Sequence, residues 1–227
     1  MYAFTAAQQS AWQQVFERLS RAISPPADLE HKLRFNTDAA SLLSDDLWIG
    51  QTCGYPLITG YRETLRPVAV PLFDAEGCEG VRYSSAIVVH TASPITALEQ
   101  CEGTRVAING PDSNSGMNVL RAALDEIGSP VPFFQQTLVS GAHRESVRMV
   151  VEGLADVAAI DCVTLALLCD AEPDLVGRLR VIARSESTTG LPFVCPMTSA
   201  TDHITVPGFE FTNGVIECVD EGGVISG

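Results

Sequence analysis

The sequence predicts an α/β fold, in which short hydrophobic strands alternate with amphipathic helices. Two apolar runs, Arg105 to Asn109 and Val157 to Asp161, are typical of buried strands, and each is followed by a helical pattern. Hydrophobic residues make up 46% of the 227 residues and charged residues 19%, which is enough for one substantial core or two small ones. We therefore expect lobes with mostly parallel sheets.

The individual elements follow from hydrophobic periodicity. The segment from Ala6 to Leu19 is predicted to be a helix, because its apolar residues recur on one face. That face comprises Trp12, Val15, Phe16 and Leu19. The predicted strands are Leu33 to Asn36, Leu47 to Gln51, Pro67 to Leu72, Ala86 to His90, Arg105 to Asn109, Val157 to Asp161 and Leu179 to Ala183.

The segment from Asn109 to Gly116 has the composition of an anion site that uses no cation. It follows a predicted strand and precedes apolar residues at helical spacing that end at Gly128, so Ser113 to Gly116 should form the first turn of a helix. The free N–H groups of such a turn, the helix dipole and two serine hydroxyls can hold a phosphate-like or carboxylate group. An ordinary Ser/Asn cap is the alternative interpretation.

Two further residues are expected to converge on this turn. His143 lies in the first turn of a second predicted helix, and Asp161 lies at the carboxyl end of the predicted strand Val157 to Asp161. Ligands of open α/β sheets bind at such strand ends. Taken singly, His143 could be a surface or capping residue and Asp161 a helix cap. Together with Ser113 to Gly116, they favour one shared site.

Four short motifs make the chain resemble a known family. They are Tyr83-Ser84-Ser85, Asp112-Ser113-Asn114-Ser115-Gly116, Gly141-Ala142-His143-Arg144-Glu145-Ser146 and Ala155-Asp156-Val157-Ala158-Ala159-Ile160-Asp161. In order and approximate spacing they are similar to the phosphate/phosphite/phosphonate-binding proteins of ABC importers, which are type 2 periplasmic binding proteins. The resemblance covers roughly Asp46 to Pro196 and implies two lobes with the ligand in a cleft between them.

The resemblance also implies a function and a set of ligand-binding residues. The protein would capture a small oxyanion, a phosphonate, phosphite or phosphate, and deliver it to the membrane permease of an ABC importer. It would need no catalytic residue, cofactor or metal. Tyr55 is a looser match to an aromatic residue of the first lobe. The implied ligand-binding residues are Tyr55, Tyr83, Ser85, Ser113, Asn114, Ser115, Gly116, His143 and Asp161.

We expect the chain to pass between the lobes near Val81 to Ser85 and again near Ser185 to Leu191. The first lobe would comprise residues 1–82 and 187–227, and the second would comprise residues 83–186. The family usually begins with a strand and ends with a helix that completes the first lobe. This chain begins with a helical pattern and ends in a segment rich in Gly, Thr and Asp, so the first lobe is expected to be incomplete at both ends.

Charge and hydropathy exclude two other classes of partner. The net charge of −14 argues against nucleic acid, whose binding needs a basic face. No apolar run reaches the roughly 18 residues of a membrane span, so we expect no direct membrane insertion. The resemblance implies a periplasmic location. Because Met1 to Glu17 lacks the features of a signal peptide, a cytoplasmic location is the alternative.

The seven cysteines cannot all pair within one chain, which mildly favours a reducing compartment. No cysteine spacing resembles a zinc motif. Cys162 and Cys169 lie about two turns apart on one predicted helix, too far for a disulfide. A bond between Cys53 and Cys78 is an option that no pattern supports.

Two other functions stay open at this point. An enzyme built on the same fold would use Cys53 or His143 as nucleophile or general base, because fold alone does not determine function. A cytoplasmic ligand sensor would also fit the thiols and the absence of a signal-peptide pattern.

Overall fold

The computed structural model describes residues 3–22, 33–35, 39–198, 209–212 and 215–218. Its helices are α1 (Ala6–Ala22), α2 (Gly54–Pro56), α3 (Val119–Glu126), α4 (His143–Val151), α5 (Cys162–Ala171) and α6 (Pro173–Val176), with 3-10 turns at Ala39–Leu43 and Leu98–Cys101 and π-helical turns at Leu57–Tyr61 and Asn114–Asn118. Its strands are β1 (Gly50–Gln51), β2 (Leu65–Ala69), β3 (Cys78–Glu79), β4 (Arg82–Tyr83), β5 (Ser85–His90), β6 (Arg105–Ile108), β7 (Gln136–Val139), β8 (Val157–Asp161), β9 (Leu179–Arg184), β10 (Thr188–Thr189), β11 (Phe193–Pro196), β12 (Phe209–Thr212) and β13 (Val215–Cys218).

The chain divides into two compact units, neither of which is continuous in sequence. Unit 1 comprises Met1–Asp74, Glu79–Val81 and Thr189–Gly227, and unit 2 comprises Ala75–Cys78 and Arg82–Thr188. The segments that carry Ser113 to Gly116, His143 and Asp161 belong to unit 2.

Helix α1 packs on the core of unit 1 through the predicted apolar face. Thr5 caps its start, because the Thr5 hydroxyl accepts a hydrogen bond from the backbone N–H of Gln8 at 3.2 Å. The rings of Trp12 and Phe16 then meet Phe193 edge to face, with centroids 6.0 and 5.9 Å apart. The predicted helix is confirmed, and the side chain of Leu19 lies outside the described residues.

The larger sheet of unit 1 is antiparallel, which corrects one prediction. Strand β11 lies between β1 and β2 and runs antiparallel to both. Strands β12 and β13 form a further antiparallel pair in the tail, where the sequence analysis assigned no element. The α/β class is confirmed, whereas mostly parallel pairing is wrong for this unit.

Unit 2 contains a mixed five-stranded sheet in the order β7-β6-β8-β5-β9. Strand β6 is parallel to β7 and β8, whereas β5 is antiparallel to β8 and β9. Parallel pairing therefore accounts for only half of the ladders. The reason is that β5 begins where β8 ends, so that the two strands run in opposite directions.

The central strands of unit 2 read as continuous apolar runs because both faces of the sheet are covered. On one face, Ile87 of β5 and Val106 of β6 pack with Leu120 of α3. Helix α4 packs against β8 through buried residues that include Val147 and Val150. The central strands of this sheet are thus buried between two layers of helices.

The predicted strands compare unevenly with the structure. Those in unit 2 are confirmed within one residue at each end as β5, β6, β8 and β9. In the predicted strand Leu33 to Asn36, the described residues Leu33 to Phe35 form no strand. Leu33 and Phe35 instead pack as partly buried residues against the core of unit 1. Asn36 lies outside the described residues. Strand β7 was missed because it is an edge strand with mostly exposed side chains, which give it no apolar pattern.

Candidate functional site

Three strand ends and three helix starts meet at one edge of the unit 2 sheet. Because β6, β7 and β8 are parallel neighbours, their carboxyl ends lie at the same edge. Strand β6 leads to Ser113, β7 leads to His143 and β8 ends at Asp161. The convergence predicted from the sequence is therefore present for the polar residues of these three segments.

Ser115, His143 and Asp161 form a chain of polar contacts. The Ser115 hydroxyl lies 2.8 Å from Nε2 of His143, and the same nitrogen lies 3.3 Å from Oδ2 of Asp161. The three residues are 1%, 3% and 0% exposed. Asp161 Oδ2 has no hydrogen bond of good geometry among the described residues. Because a buried oxygen without a partner is costly, this atom is suited to a group that comes from outside the chain.

Burial controls the charge of His143. It lowers the pKa of the imidazole below 6.5, and the Asp161 carboxylate opposes this effect only in part. The ring is therefore neutral at pH 7 and carries one N–H. With the proton on Nε2, this nitrogen donates to a neighbour, and with the proton on Nδ1, Nε2 is an acceptor. The backbone of Ala159 also raises the pKa of the ring. Nδ1 nevertheless has no well-aligned hydrogen bond within the described part of the chain.

Two of the predicted site residues are also helix caps. The Ser113 hydroxyl accepts from the N–H of Gly116 at 3.0 Å, and Oδ1 of Asp161 accepts from the N–H of Thr164 at 2.8 Å. Capping and site formation are therefore not alternatives here. Each cap uses one acceptor position, and Ser113 retains its hydroxyl proton while Asp161 retains Oδ2.

Gly116, in the π-helical turn Asn114–Asn118, lies close to the side chains of two neighbouring residues. A Cβ atom at this residue would lie 1.9 Å from Oδ1 of Asn109 and 3.3 Å from Cε1 of His143. The group that approaches Gly116 most closely is thus a side chain of the same unit. Any other residue at this position would have to displace the Asn109 side chain.

Ser85 and Asn114 occupy positions beside this group. Ser85 begins β5 and is the direct partner of Asp161 in the ladder. Such a pairing puts the two Cβ atoms about 4.5–5.5 Å apart. Its backbone N–H donates to the Ser185 hydroxyl at 2.9 Å. Asn114 donates from Nδ2 to the Thr188 hydroxyl at 3.4 Å.

The two tyrosines lie on other elements. Tyr83 ends β4, two residues before Ser85, with a buried ring. Tyr55 belongs to unit 1, on α2, and is 38% exposed. A role for either ring in ligand binding stays a prediction.

Two polar residues at the same edge were missed from the sequence. Oδ1 of Asn109 and Oγ1 of Thr164 are buried and have no hydrogen-bond partner among the described residues. Asn109 was inside the motif that suggested the site, directly after β6. Its position at a strand end was a usable signal. Thr164 lies inside a helical pattern and had no such signal.

The described residues contain no cluster of three or more His, Cys, Asp or Glu side chains that could hold a metal ion. Within the same residues, no helix is both long enough and apolar enough to cross a membrane.

Comparisons with known proteins place the chain in a family. Residues 3–202 match the family described as ABC transporter, phosphonate, periplasmic substrate-binding protein. No curated protein matches the chain. The match to the family spans well over half of the sequence.

Solved structures show the same fold. A binding protein component of an ABC phosphonate transporter from Pseudomonas aeruginosa has a TM-score of 0.64 at 21% identity, over 85% of this chain and 65% of that protein. A Prochlorococcus marinus protein in complex with methylphosphonate has a TM-score of 0.63 at 15% identity, over 82% and 72%. A Xanthomonas citri protein bound to ATP has a TM-score of 0.60 at 16% identity, over 85% and 75%.

These identities are low, so the structural similarity supports the fold, while the sequence match supports the family. The chain spans slightly less than two thirds of the Pseudomonas protein. By the match over residues 3–202, the chain belongs to the family of periplasmic substrate-binding proteins of phosphonate ABC transporters.

Proposed function

We propose that this protein is the solute-binding component of an ABC importer and captures a phosphonate, phosphite or phosphate at the sheet edge of unit 2. One observation carries the proposal: Ser115, His143 and Asp161, which are 28 and 18 residues apart in sequence, are buried in contact with one another at that edge. The ligand is bound and released unchanged, as expected for a transporter's solute-binding protein.

Neutral groups supply most of the attraction for the anion. The helix start at Ser113 offers backbone N–H groups and the positive end of the helix dipole, and the hydroxyls of Ser113 and Ser115 add two donors. The low pKa of His143 keeps the imidazole uncharged when the site is empty. A chain with a net charge of −14 therefore attracts an anion only at short range.

Asp161 selects among oxyanions by their protonation. A carboxylate only accepts hydrogen bonds, so Oδ2, which has no well-aligned hydrogen bond among the described residues, favours a ligand that carries a proton or an amine and repels a fully deprotonated one. Phosphate, phosphite and phosphonates can carry a proton near neutral pH, whereas sulfate does not.

The phosphoryl group is the chemistry shared by the ligands of two similar structures, methylphosphonate and ATP. Both ligands end in a tetrahedral phosphorus with three oxygens. We expect a small ligand to be preferred here, because Ser115, His143 and Asp161 are almost completely buried.

A thermal-shift panel in phosphate-free buffer tests the proposal. Methylphosphonate, phosphite and phosphate should raise the melting temperature by mass action, since a ligand that binds only the folded state stabilises it. At 100 times the dissociation constant, the stabilisation is about 2.7 kcal/mol. Sulfate and ATP serve as comparison ligands and should shift the melting temperature less. No shift with any phosphorus oxyanion would contradict the proposal.

Substitution of Asp161 by asparagine tests its role in selection. Asp161→Asn keeps an oxygen that can cap α5 but removes the negative charge, so the helix start should persist. The wild type should bind phosphate more weakly as pH rises from 5.5 to 8.5, a range that spans a second phosphate pKa of about 6 to 7. The variant should show a flatter dependence.

Calorimetric titration over this range provides the measurement. Methylphosphonate titrated at one pH into both proteins controls for loss of the fold. If Asp161→Asn keeps the full pH dependence of the wild type, another group senses the ligand's proton, and the role given to Asp161 is wrong.

The wider assignments belong to the same proposal. Residues 83–186 would form the lobe that holds the phosphoryl group, and residues 1–82 with 187–227 would form the other lobe. From that other lobe, Tyr55 would contact the ligand. A membrane permease would receive the ligand, and the protein would act in the periplasm. Co-purification with the permease in detergent would test the partner.

A further inference from the structure

Two cysteines that are distant in sequence have their sulfur atoms in contact. Sγ of Cys78 lies 3.1 Å from Sγ of Cys162, and the two residues are 84 positions apart in the chain. Both residues are thiols in the structure. A disulfide bond is about 2.05 Å long, so an approach of about 1 Å would join them.

Backbone hydrogen bonds hold the two cysteine segments together. The backbone N–H of Ser84 donates to the carbonyl of Gly77 at 2.9 Å, and the N–H of Cys162 donates to the carbonyl of Ser84 at 3.0 Å. Ser84 thus connects the residue before Cys78 with Cys162 itself.

Gly77 allows this close approach. Its φ of +100° is a conformation that residues with a side chain rarely adopt, and a Cβ atom there would lie 3.0 Å from Cβ of Cys162. The geometry therefore places the two thiols together through the main chain and not through flexible side chains.

The two thiols differ in acidity and in exposure. The hydrogen bond from Cys78 lowers the pKa of the Cys162 thiol, and the same hydrogen bond raises the pKa of Cys78. Cys162 is 2% exposed, whereas Cys78 is partly exposed. Of the two thiols, an external disulfide can therefore reach only Cys78, and the raised pKa of that thiol makes the first step slow. Cys162, with its lowered pKa, is the better nucleophile for the second step.

We propose that Cys78 and Cys162 form a disulfide that fastens the segment Ala75–Cys78 to the start of α5. The oxidant is a small-molecule disulfide such as oxidised glutathione. The Cys78 thiolate attacks it and releases one reduced glutathione, and the Cys162 thiolate then attacks the Cys78 sulfur and releases the second. Two protein thiols lose two protons and two electrons, and these convert one oxidised glutathione into two reduced molecules.

The proposed bond closes a long loop and adjoins the candidate site. Because Cys162 directly follows Asp161, the bond restrains the residue that caps α5. It also distinguishes Cys78–Cys162 from the pairing of Cys53 with Cys78 considered from the sequence, since the sulfur that contacts Cys78 is that of Cys162.

Mass spectrometry of the whole chain identifies the bond. The reduced protein is incubated with oxidised glutathione, the remaining thiols are alkylated under denaturing conditions, and the protein is digested. We expect a loss of about 2 Da before alkylation and a linked peptide pair that contains Cys78 and Cys162. Cys169→Ser, on the same helix, is the matched control and should form the same pair. Cys78→Ser and Cys162→Ser should not.

Stability provides a second measurement that needs no ligand. The oxidised wild type should melt roughly 5–15 °C above the reduced protein, and Cys78→Ser should melt at one temperature under both conditions. A linked peptide of Cys53 with Cys78, or glutathione adducts without a linked peptide, would overturn the proposal. So would equal melting temperatures of the reduced and oxidised wild type.

Discussion

Gly116 shows how a single atom can decide the geometry of this site. The absence of a side chain lets Oδ1 of Asn109 occupy the position where a Cβ would lie, and the imidazole of His143 packs just beyond it. The residue therefore holds the first turn, Asn109 and His143 in one arrangement.

A pair of substitutions at this contact tests the arrangement. Gly116→Ala should lower the free energy of unfolding by roughly 1–3 kcal/mol, because the added methyl group overlaps Asn109. Adding Asn109→Ala removes the overlapping side chain and should recover part of the loss. Urea denaturation gives both values.

Gly60→Ala is the control for the Gly116 substitution, since a Cβ at Gly60 meets no atom within 4 Å. It should change stability far less. If Gly116→Ala is as stable as the wild type, the contact does not constrain the turn. The same conclusion follows if the stability lost in the double variant equals the sum of the losses in the two single variants.

His143 makes stability depend on pH in a definite direction. Above pH 6.5 the imidazole is neutral in both the folded and the unfolded chain, and its burial carries no protonation penalty. Below 6.5 the unfolded chain takes up a proton that the buried ring does not, because the pKa in the folded state is lower. Stability should therefore fall as pH falls from 6.5 toward the folded-state pKa.

Urea denaturation of the ligand-free protein between pH 5 and 7.5 measures this effect. One proton contributes a slope of at most about 1.4 kcal/mol per pH unit. His143→Gln should reduce the slope by that contribution, and His90→Gln, at the less buried end of β5, should retain it. An unchanged slope in His143→Gln would show that this residue is not the group responsible.

At the scale of elements, an ion pair fixes β6 relative to β8. Arg105 begins β6, and Asp156 immediately precedes β8. The guanidinium donates to the carboxylate from Nε at 2.9 Å and from Nη2 at 2.8 Å, and the backbone N–H of Arg105 adds a third bond of 2.8 Å. These bonds set the register of two strands whose opposite ends carry the candidate site.

Removal of the charge on Asp156 should destabilise unit 2. Asp156→Asn keeps one acceptor but loses the bidentate pair, and the partly exposed position limits the cost to about 1–2 kcal/mol at pH 7. The hydrogen bond from Arg105 lowers the pKa of Asp156 below 3.8. The stabilisation is therefore present above pH 3.8 and is lost as pH falls through the lowered pKa.

Chemical denaturation at pH 7 and pH 3 tests this pair. Glu63→Gln is the control, because the Arg62–Glu63 pair is highly exposed and should contribute less than about 0.5 kcal/mol. Equal losses in Asp156→Asn and Glu63→Gln would mean that the Arg105 pair is only a surface contact.

At the scale of the whole molecule, the net charge opposes the ligand that the site attracts. A net charge of −14 repels an anion over distances that salt controls. The Debye length falls from about 30 Å at 0.01 M ionic strength to about 8 Å at 0.15 M. The short-range dipoles and hydrogen bonds of the site are screened much less.

Association with methylphosphonate should therefore accelerate when salt is added. Between 0.01 and 0.15 M potassium chloride we expect the association rate constant to rise roughly twofold or more, because screening removes the long-range repulsion. Rapid mixing with detection of intrinsic fluorescence measures the rate. A repeat at constant ionic strength with a different monovalent salt controls for chloride binding. A rate that falls with salt would indicate attraction by local positive charge, contrary to the proposed site.

Much of this protein could be predicted from local sequence. The strands β5, β6, β8 and β9, the start of α4 near His143 and the position of Asp161 at a strand end all follow from apolar periodicity and capping residues. These signals are local because a strand or helix buries the side chains of one of its own faces in a core. The same signals led to the expectation that Ser115, His143 and Asp161 share one sheet edge.

The tertiary structure alone decided which groups touch and how the strands pair. Antiparallel pairing of β5 with β8 places Ser85 opposite Asp161, and no local pattern specifies the direction of a neighbouring strand. The overlap of Gly116 with Asn109 and the contact of Cys78 with Cys162 likewise join distant segments. Periodicity defines the face that an element buries, whereas contacts between distant residues depend on how all the elements pack at once.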